Sequence, residues 1–128
     1  CACLGAKLEI IEPCGFLLND KRFERVVMDY MDKKSIKFYK NFDEFFVSKE
    51  NQRIVLMTTK ASISYTIFKF EKNDTILFGR ESAGVPKKIH GLIKDQLKIP
   101  MKSNKRSLNV ATSVAIILAE SLKQIRLI

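Results

Sequence analysis

The sequence predicts an α/β fold, a parallel sheet with helices on both faces, and three observations predict it. Short apolar strand-like runs alternate with segments whose apolar residues recur at helical spacing, the β-α-β-α rhythm of a parallel sheet. One run, "RIVLMTT" (Arg53–Thr59), is almost continuously apolar, as a strand covered on both faces must be. The 128 residues, 46% hydrophobic and 9% aromatic, suffice for a single domain over 1–128 and exclude a disordered chain.

Each element follows in order. "KLEIIE" (Lys7–Glu12) reads as the first strand, stopped by Pro13 and Gly15. "NDKRFERVVMDYM" (Asn19–Met31) opens on Asn19 or Asp20 as a cap, and Phe23, Val26, Val27 and Tyr30 then fall at helical spacing. "IKFY" (Ile36–Tyr39) is a short strand. "NFDEFFVSK" (Asn41–Lys49) is a helix capped by Asn41, with Phe42, Phe45 and Phe46 on one face. After the buried strand at 53–59, "SYTIFKF" (Ser64–Phe70) is ambiguous. "TILF" (Thr75–Phe78) is a second buried strand. "PKKIHGLI" (Pro86–Ile93) is a short helix with Pro86 at its first position, and "QLKIP" (Gln96–Pro100) is a strand closed by proline. The last helix, "SLNVATSVAIILAESLKQ" (Ser107–Gln124), takes Ser107 as its candidate cap. Leu108, Ala111, Ala115, Leu118 and Leu122 form one apolar stripe, and Val110, Val114 and Ile117 form another beside it. Such a helix is buried on more than one side, against a partner subunit or as a central core helix.

Composition narrows the function classes. No apolar run approaches the ~20 residues of a membrane span, the longest being "VAIILA" (Val114–Ala119), and no signal peptide is visible. The chain opens "CACLGAKLEIIEP" without Met and already close to a strand, so an N-terminal piece is expected to precede it. Cys1, Cys3 and Cys14 have neither disulfide-framework nor zinc spacing, which favours reduced cytoplasmic thiols. The net charge is +9, and residues from Lys60 to Ile128 carry 13 Lys/Arg against 5 Asp/Glu. This balance suits a polyanion such as nucleic acid, and equally a generally lysine-rich surface.

Two clusters carry possible chemistry. In "TILFGRESAGVP" (Thr75–Pro86), Gly79 and Gly84 bracket a turn at the carboxyl end of a strand, where open α/β sheets bind ligands. Val85-Pro86 stands where a phosphate-binding P-loop needs Lys-Ser/Thr, and the glycine spacing does not match a dinucleotide fingerprint. What survives is a crevice turn in which Gly79 permits close backbone approach and Glu81 is ionisable, or a sharp turn with a solvated Arg-Glu pair. In "IPMKSNKRSLNVA" (Ile99–Ala111), Lys102, Lys105 and Arg106 precede a helix start, a good setting for a phosphate or polar ligand. An ordinary lysine-rich loop reads the same. His90, the single histidine, has no metal-ligating neighbours in sequence and reads as a surface residue; no metal is expected.

Together these clusters resemble the SPOUT class of RNA methyltransferases, and more narrowly the tRNA wobble-position ribose 2′-O-methyltransferases. The matching stretches are "LFGRESAGVP" (Leu77–Pro86), "IPM" (Ile99–Met101) and "RSLNVATSVAI" (Arg106–Ile116), with "IEPCGFLLNDKRFERVVMDY" (Ile11–Tyr30) and "TTK" (Thr58–Lys60) upstream. The resemblance implies a C-terminal deep trefoil knot, S-adenosylmethionine as methyl donor with S-adenosylhomocysteine as product, and a homodimer joined through the last helix. It implies Met57, Gly79, Ile99, Met101, Ser107 and Leu108 as cofactor-binding positions and Glu81, Ser107 and Asn109 as the catalytic polar set. With the basic balance it implies Arg80, Lys102, Lys105 and Arg106 as contacts to tRNA. The family's first motif, an Asn-x-Gly-Asn run ending in an Arg thought to act in proton removal, normally lies just before the segment matching Cys1–Gly5. Ala119 stands where the subfamily tends to carry Tyr. The expected function is therefore methyl transfer to a ribose 2′-hydroxyl of tRNA in the cytoplasm. A ribosomal RNA methyltransferase, or a non-catalytic RNA-binding domain of the same fold, is the alternative.

Overall fold

The computed structural model describes residues 1–13, Lys21, Arg25, 36–80 and 83–128. The expected helix over 19–31 lies outside the described residues apart from Lys21 and Arg25, both helical and exposed, and so do Cys14, Gly15 and Glu81. The chain divides into two compact units, Cys1–Glu50 and Asn51–Ile128.

In the first unit a short 3₁₀ turn, Ala2–Leu4, ends on Gly5, whose φ of 69° is the left-handed conformation glycine adopts freely. β1 (Leu8–Ile11) pairs in parallel with β2 (Ile36–Tyr39), in register from Leu8 opposite Ile36 to Ile11 opposite Tyr39. The Glu12 amide extends the ladder by donating to the Tyr39 carbonyl at 2.8 Å, before a cis Glu12–Pro13 bond. α1 (Phe42–Ser48) begins as expected: Asn41 Oδ1 accepts from the Glu44 amide at 2.8 Å, and Glu44 Oε2 in return accepts from the Lys40 amide at 2.7 Å. Phe45 is 1% exposed and meets the Tyr39 ring edge-on at 5.4 Å, while Phe42 and Phe46 stay half-buried. Lys49 at the end of α1 reaches Glu9 of β1 at 2.9 Å.

The second unit holds a four-stranded parallel sheet in the order β4-β6-β3-β5, with β3 (Ile54–Met57), β4 (Ile63–Ser64), β5 (Thr75–Phe78) and β6 (Asp95–Lys98). β3 is central. It pairs with β5 from Ile54 opposite Thr75 to Met57 opposite Phe78, and with β6 from Val55 opposite Asp95 to Met57 opposite Leu97. Its position explains its composition, because Val55 and Leu56 are fully buried and Met57 nearly so. Around Val55 and Met57 pack Phe70, Leu97 and Ile117. "TILF" is a strand, but as the outer neighbour of β3 its four residues are half-buried rather than buried. The ambiguous "SYTIFKF" resolves into a 3₁₀ turn, Tyr65–Ile67, after β4, with Ser64 accepting from the Thr66 amide, followed by extended chain.

Two helices complete this unit. α2 (Lys87–Leu92) starts one residue later than expected, with Pro86 as its N-cap rather than its first residue. α3 (Val110–Gln124) is capped by Asn109, not Ser107: Asn109 Oδ1 accepts from the Thr112 amide at 3.2 Å, and Ser107 stays in the preceding loop. α3 buries Ile117, Ser121 and Leu122, while Ala111, Ala115 and Ala119 are exposed. Gln124 ties its end to the chain before β5, accepting from the Phe70 amide at 2.9 Å and donating to the Phe68 carbonyl at 3.1 Å. Arg53, at the foot of β3, holds Asp74 through two 2.7 Å hydrogen bonds and lies over the Phe68 ring at 4.9 Å. The Asp74 hydrogen bond is the main reason the Arg53 guanidinium is held above its ordinary range. Among the described residues no helix is long and apolar enough to cross a membrane, and none form a cluster suited to a metal ion.

Candidate active site

Parallel pairing sends the carboxyl ends of β3, β5 and β6 to one edge of the sheet. The chain leaves β3 for β4 on one side and returns to β5 on the other, the reversal at which open sheets form ligand crevices. The segments after these strands line a half-open cavity of about 320 Å³. Phe78, Ile99, Met101 and Leu108 give it apolar walls, Thr58, Ser107 and Ser113 supply hydroxyls, and Lys60, Arg80 and Arg106 are its cations. The described part therefore suits a flat, partly apolar ligand that also carries polar groups.

The turn after β5 is closed at its neck by backbone hydrogen bonds between described residues. The Gly84 amide donates to the Arg80 carbonyl at 2.8 Å and the Arg80 amide donates back to Gly84 at 3.3 Å, an antiparallel bridge that pinches the loop at its neck. Gly84 has φ 66°, in the left-handed region. At Gly79 a Cβ would fall 2.5 Å from the Gly84 carbonyl carbon and 2.7 Å from the Val85 nitrogen. The close approach expected of Gly79 is real, but it is made to the chain's own backbone.

The six positions expected to hold the cofactor, Met57, Gly79, Ile99, Met101, Ser107 and Leu108, all line the cavity. Of the polar set, Ser107 lines it, Asn109 serves as the cap of α3, and Glu81 lies outside the described residues. Arg80 and Arg106 line the cavity, whereas Lys102 and Lys105 are exposed on the loop between β6 and α3. His90 is not the surface residue its sequence context suggests. It is half-buried in the cavity wall, with Nε2 at 2.8 Å from Thr58 Oγ1. Spacing alone does not signal this pair, because 32 residues separate its members.

A parallel α/β unit with a ligand crevice at its strand ends defines the class: a small-molecule-using enzyme fold whose surface is basic. The chain belongs to the SpoU rRNA Methylase family, whose model matches residues 1–119. It is 43% identical over 127 residues to the tRNA (cytidine(34)-2′-O)-methyltransferase of Beijerinckia indica subsp. indica, covering 98% of this chain and 79% of that one. To the enzyme of the same name from Escherichia coli strain K12 it is 30% identical over 127 residues, covering 98% and 81%. A structure solved in work on the 2-OH methylation of C/U34 on tRNA superposes with a TM-score of 0.86 at 31% identity, over 96% of this chain and 81% of that one.

Proposed function

We propose that the chain transfers a methyl group to the ribose 2′-hydroxyl of nucleotide 34 of tRNA, using S-adenosylmethionine. The observation that carries this reading is the convergence of all six expected cofactor positions on one cavity. The residues present fit the cofactor: apolar walls from Phe78, Ile99 and Leu108 suit an adenine ring, and the hydroxyls of Thr58 and Ser107 suit ribose and amino-acid groups. Bound there, S-adenosylmethionine would supply an already activated methyl group on a sulfonium. The chain's own contribution is then to orient the ribose, exclude water and help remove the hydroxyl proton. Glu81, Ser107 and Asn109 form the polar set assigned to this ordering. Arg80, Lys102, Lys105 and Arg106 are assigned to the phosphates of an unstacked anticodon loop.

The family match crosses both units, which supports one methyltransferase domain over 1–128. We read its C-terminal part as threaded into the trefoil knot of the resembled class. The protein acts in the cytoplasm as a homodimer, for which the exposed alanines of α3, spaced four apart on one face, leave room for a second helix to approach. The test is calorimetry with S-adenosylhomocysteine, followed by nucleoside mass analysis of tRNA after reaction. A 2′-O-methylated nucleoside at position 34 is expected. Methylation confined to ribosomal RNA would move the substrate, and no binding of S-adenosylhomocysteine would end the reading.

A further inference from the structure

Thr58, whose hydroxyl is offered above to the polar groups of the cofactor, is paired in the cavity wall with His90, which has no part in that reading. The Thr58 backbone is fixed at both ends, its amide donating to Leu97 at 2.9 Å and its carbonyl accepting from Ala61 at 3.3 Å. Its hydroxyl oxygen accepts from the Lys60 amide at 3.2 Å and lies 2.8 Å from His90 Nε2. His90 Nδ1 is 3.2 Å from the Pro86 carbonyl oxygen, which can only accept, so Nδ1 carries the ring proton. In the neutral ring Nε2 is then an acceptor, and the proton in the short contact comes from Thr58. The helix turn bearing His90 is itself secured, because Gln96 Nε2 donates to the His90 and Ile93 carbonyls at 2.6 and 2.8 Å.

A hydroxyl has one proton and two lone pairs. Thr58 commits its proton to His90 and one lone pair to Lys60, which leaves one lone pair. We infer that His90 is a positioning residue that sets the polarity of Thr58, so that with the ring neutral the cavity offers its ligand an acceptor at this point and not a donor. The ligand group received there is a hydroxyl or an amine. This rests on the cofactor reading above, since S-adenosylmethionine carries donors of both kinds. The opposite ring tautomer would turn the Thr58 proton outward, setting donor against donor.

His90 is the only histidine in the chain, so its ring nitrogens give unambiguous NMR signals. In ¹⁵N-histidine-labelled, untagged, ligand-free protein at pH 8, long-range ¹H–¹⁵N spectra are expected to show the Nδ1–H tautomer; the Nε2–H tautomer overturns the inference. Calorimetry with S-adenosylhomocysteine follows. His90→Leu is expected to weaken binding about fivefold, the loss from one misdirected hydrogen bond, and His90→Gln, whose amide oxygen can accept from Thr58, to recover most of it. Should the Leu variant not fold, Thr58→Val carries the same expectation. A Leu or Val variant that binds like wild type, or a Gln variant no better than Leu, overturns the role of His90 alone. Wild-type protein that binds no S-adenosylhomocysteine overturns the cofactor reading and this role with it.

Discussion

Replacing Gly79 by alanine would drive a methyl group to within 2.5 Å of the Gly84 carbonyl carbon, and backbone cannot swing aside as a side-chain tip can. Overpacking of this kind costs about 1–3 kcal/mol, so Gly79→Ala is expected to lower the unfolding free energy measured in urea by that amount; an unchanged midpoint would rule out the tight neck. The sequence shows that glycine matters here, but it does not show what approaches it, because the partner is the loop's own return strand. The cap of α3 shows the same limit. Ser107 and Asn109 are both good capping residues, and only the path of the loop selects Asn109 and leaves Ser107 in the cavity wall. His90 was hidden for a different reason. Its chemistry depends on Thr58 across the fold, and local sequence carries no trace of that contact.

At the scale of elements, strands and helices were legible because their apolar periodicities are strong, whereas their neighbours were not. "TILF" and "RIVLMTT" look equally buried, yet β3 lies between two strands and β5 has β3 as its only neighbour among the described strands. α3 was legible as a long apolar helix, but not which sides it buries within its own unit. Its C-terminal tie is testable: Gln124→Ala leaves the part-buried Phe70 amide and Phe68 carbonyl without their partner and is expected to cost about 1–3 kcal/mol by chemical denaturation. Its exposed face is testable separately. Ala115→Glu would place a charge on the alanine face proposed to meet a second subunit, and sedimentation velocity should shift from dimer to monomer with the circular dichroism spectrum unchanged. A dimer that survives would place the interface elsewhere.

For the molecule as a whole, net charge +9 predicts that tRNA affinity falls steeply with salt. Because Lys102 and Lys105 are exposed beside the cavity, replacing both with alanine should flatten the plot of log affinity against log salt by about 1–2. S-adenosylhomocysteine binding should be unchanged, and a slope equal to wild type would remove these lysines from the RNA footprint. The large-scale architecture was legible in the alternation of elements, but the division of the described strands into a two-stranded and a four-stranded sheet was not, since strand order is set by long-range pairing. That pairing has one more consequence. The cavity takes its walls from residues as far apart as Met57 and Ser113, carried by the ends of two strands, the loops that follow β3, β5 and β6, a short helix and the start of a long one. No contiguous fragment much shorter than the second unit could inherit the pocket, so a nick or truncation inside it should extinguish ligand recognition outright. A bound ligand would in turn act as a clasp on the whole unit, which makes a thermal-shift screen a direct way to find what fits.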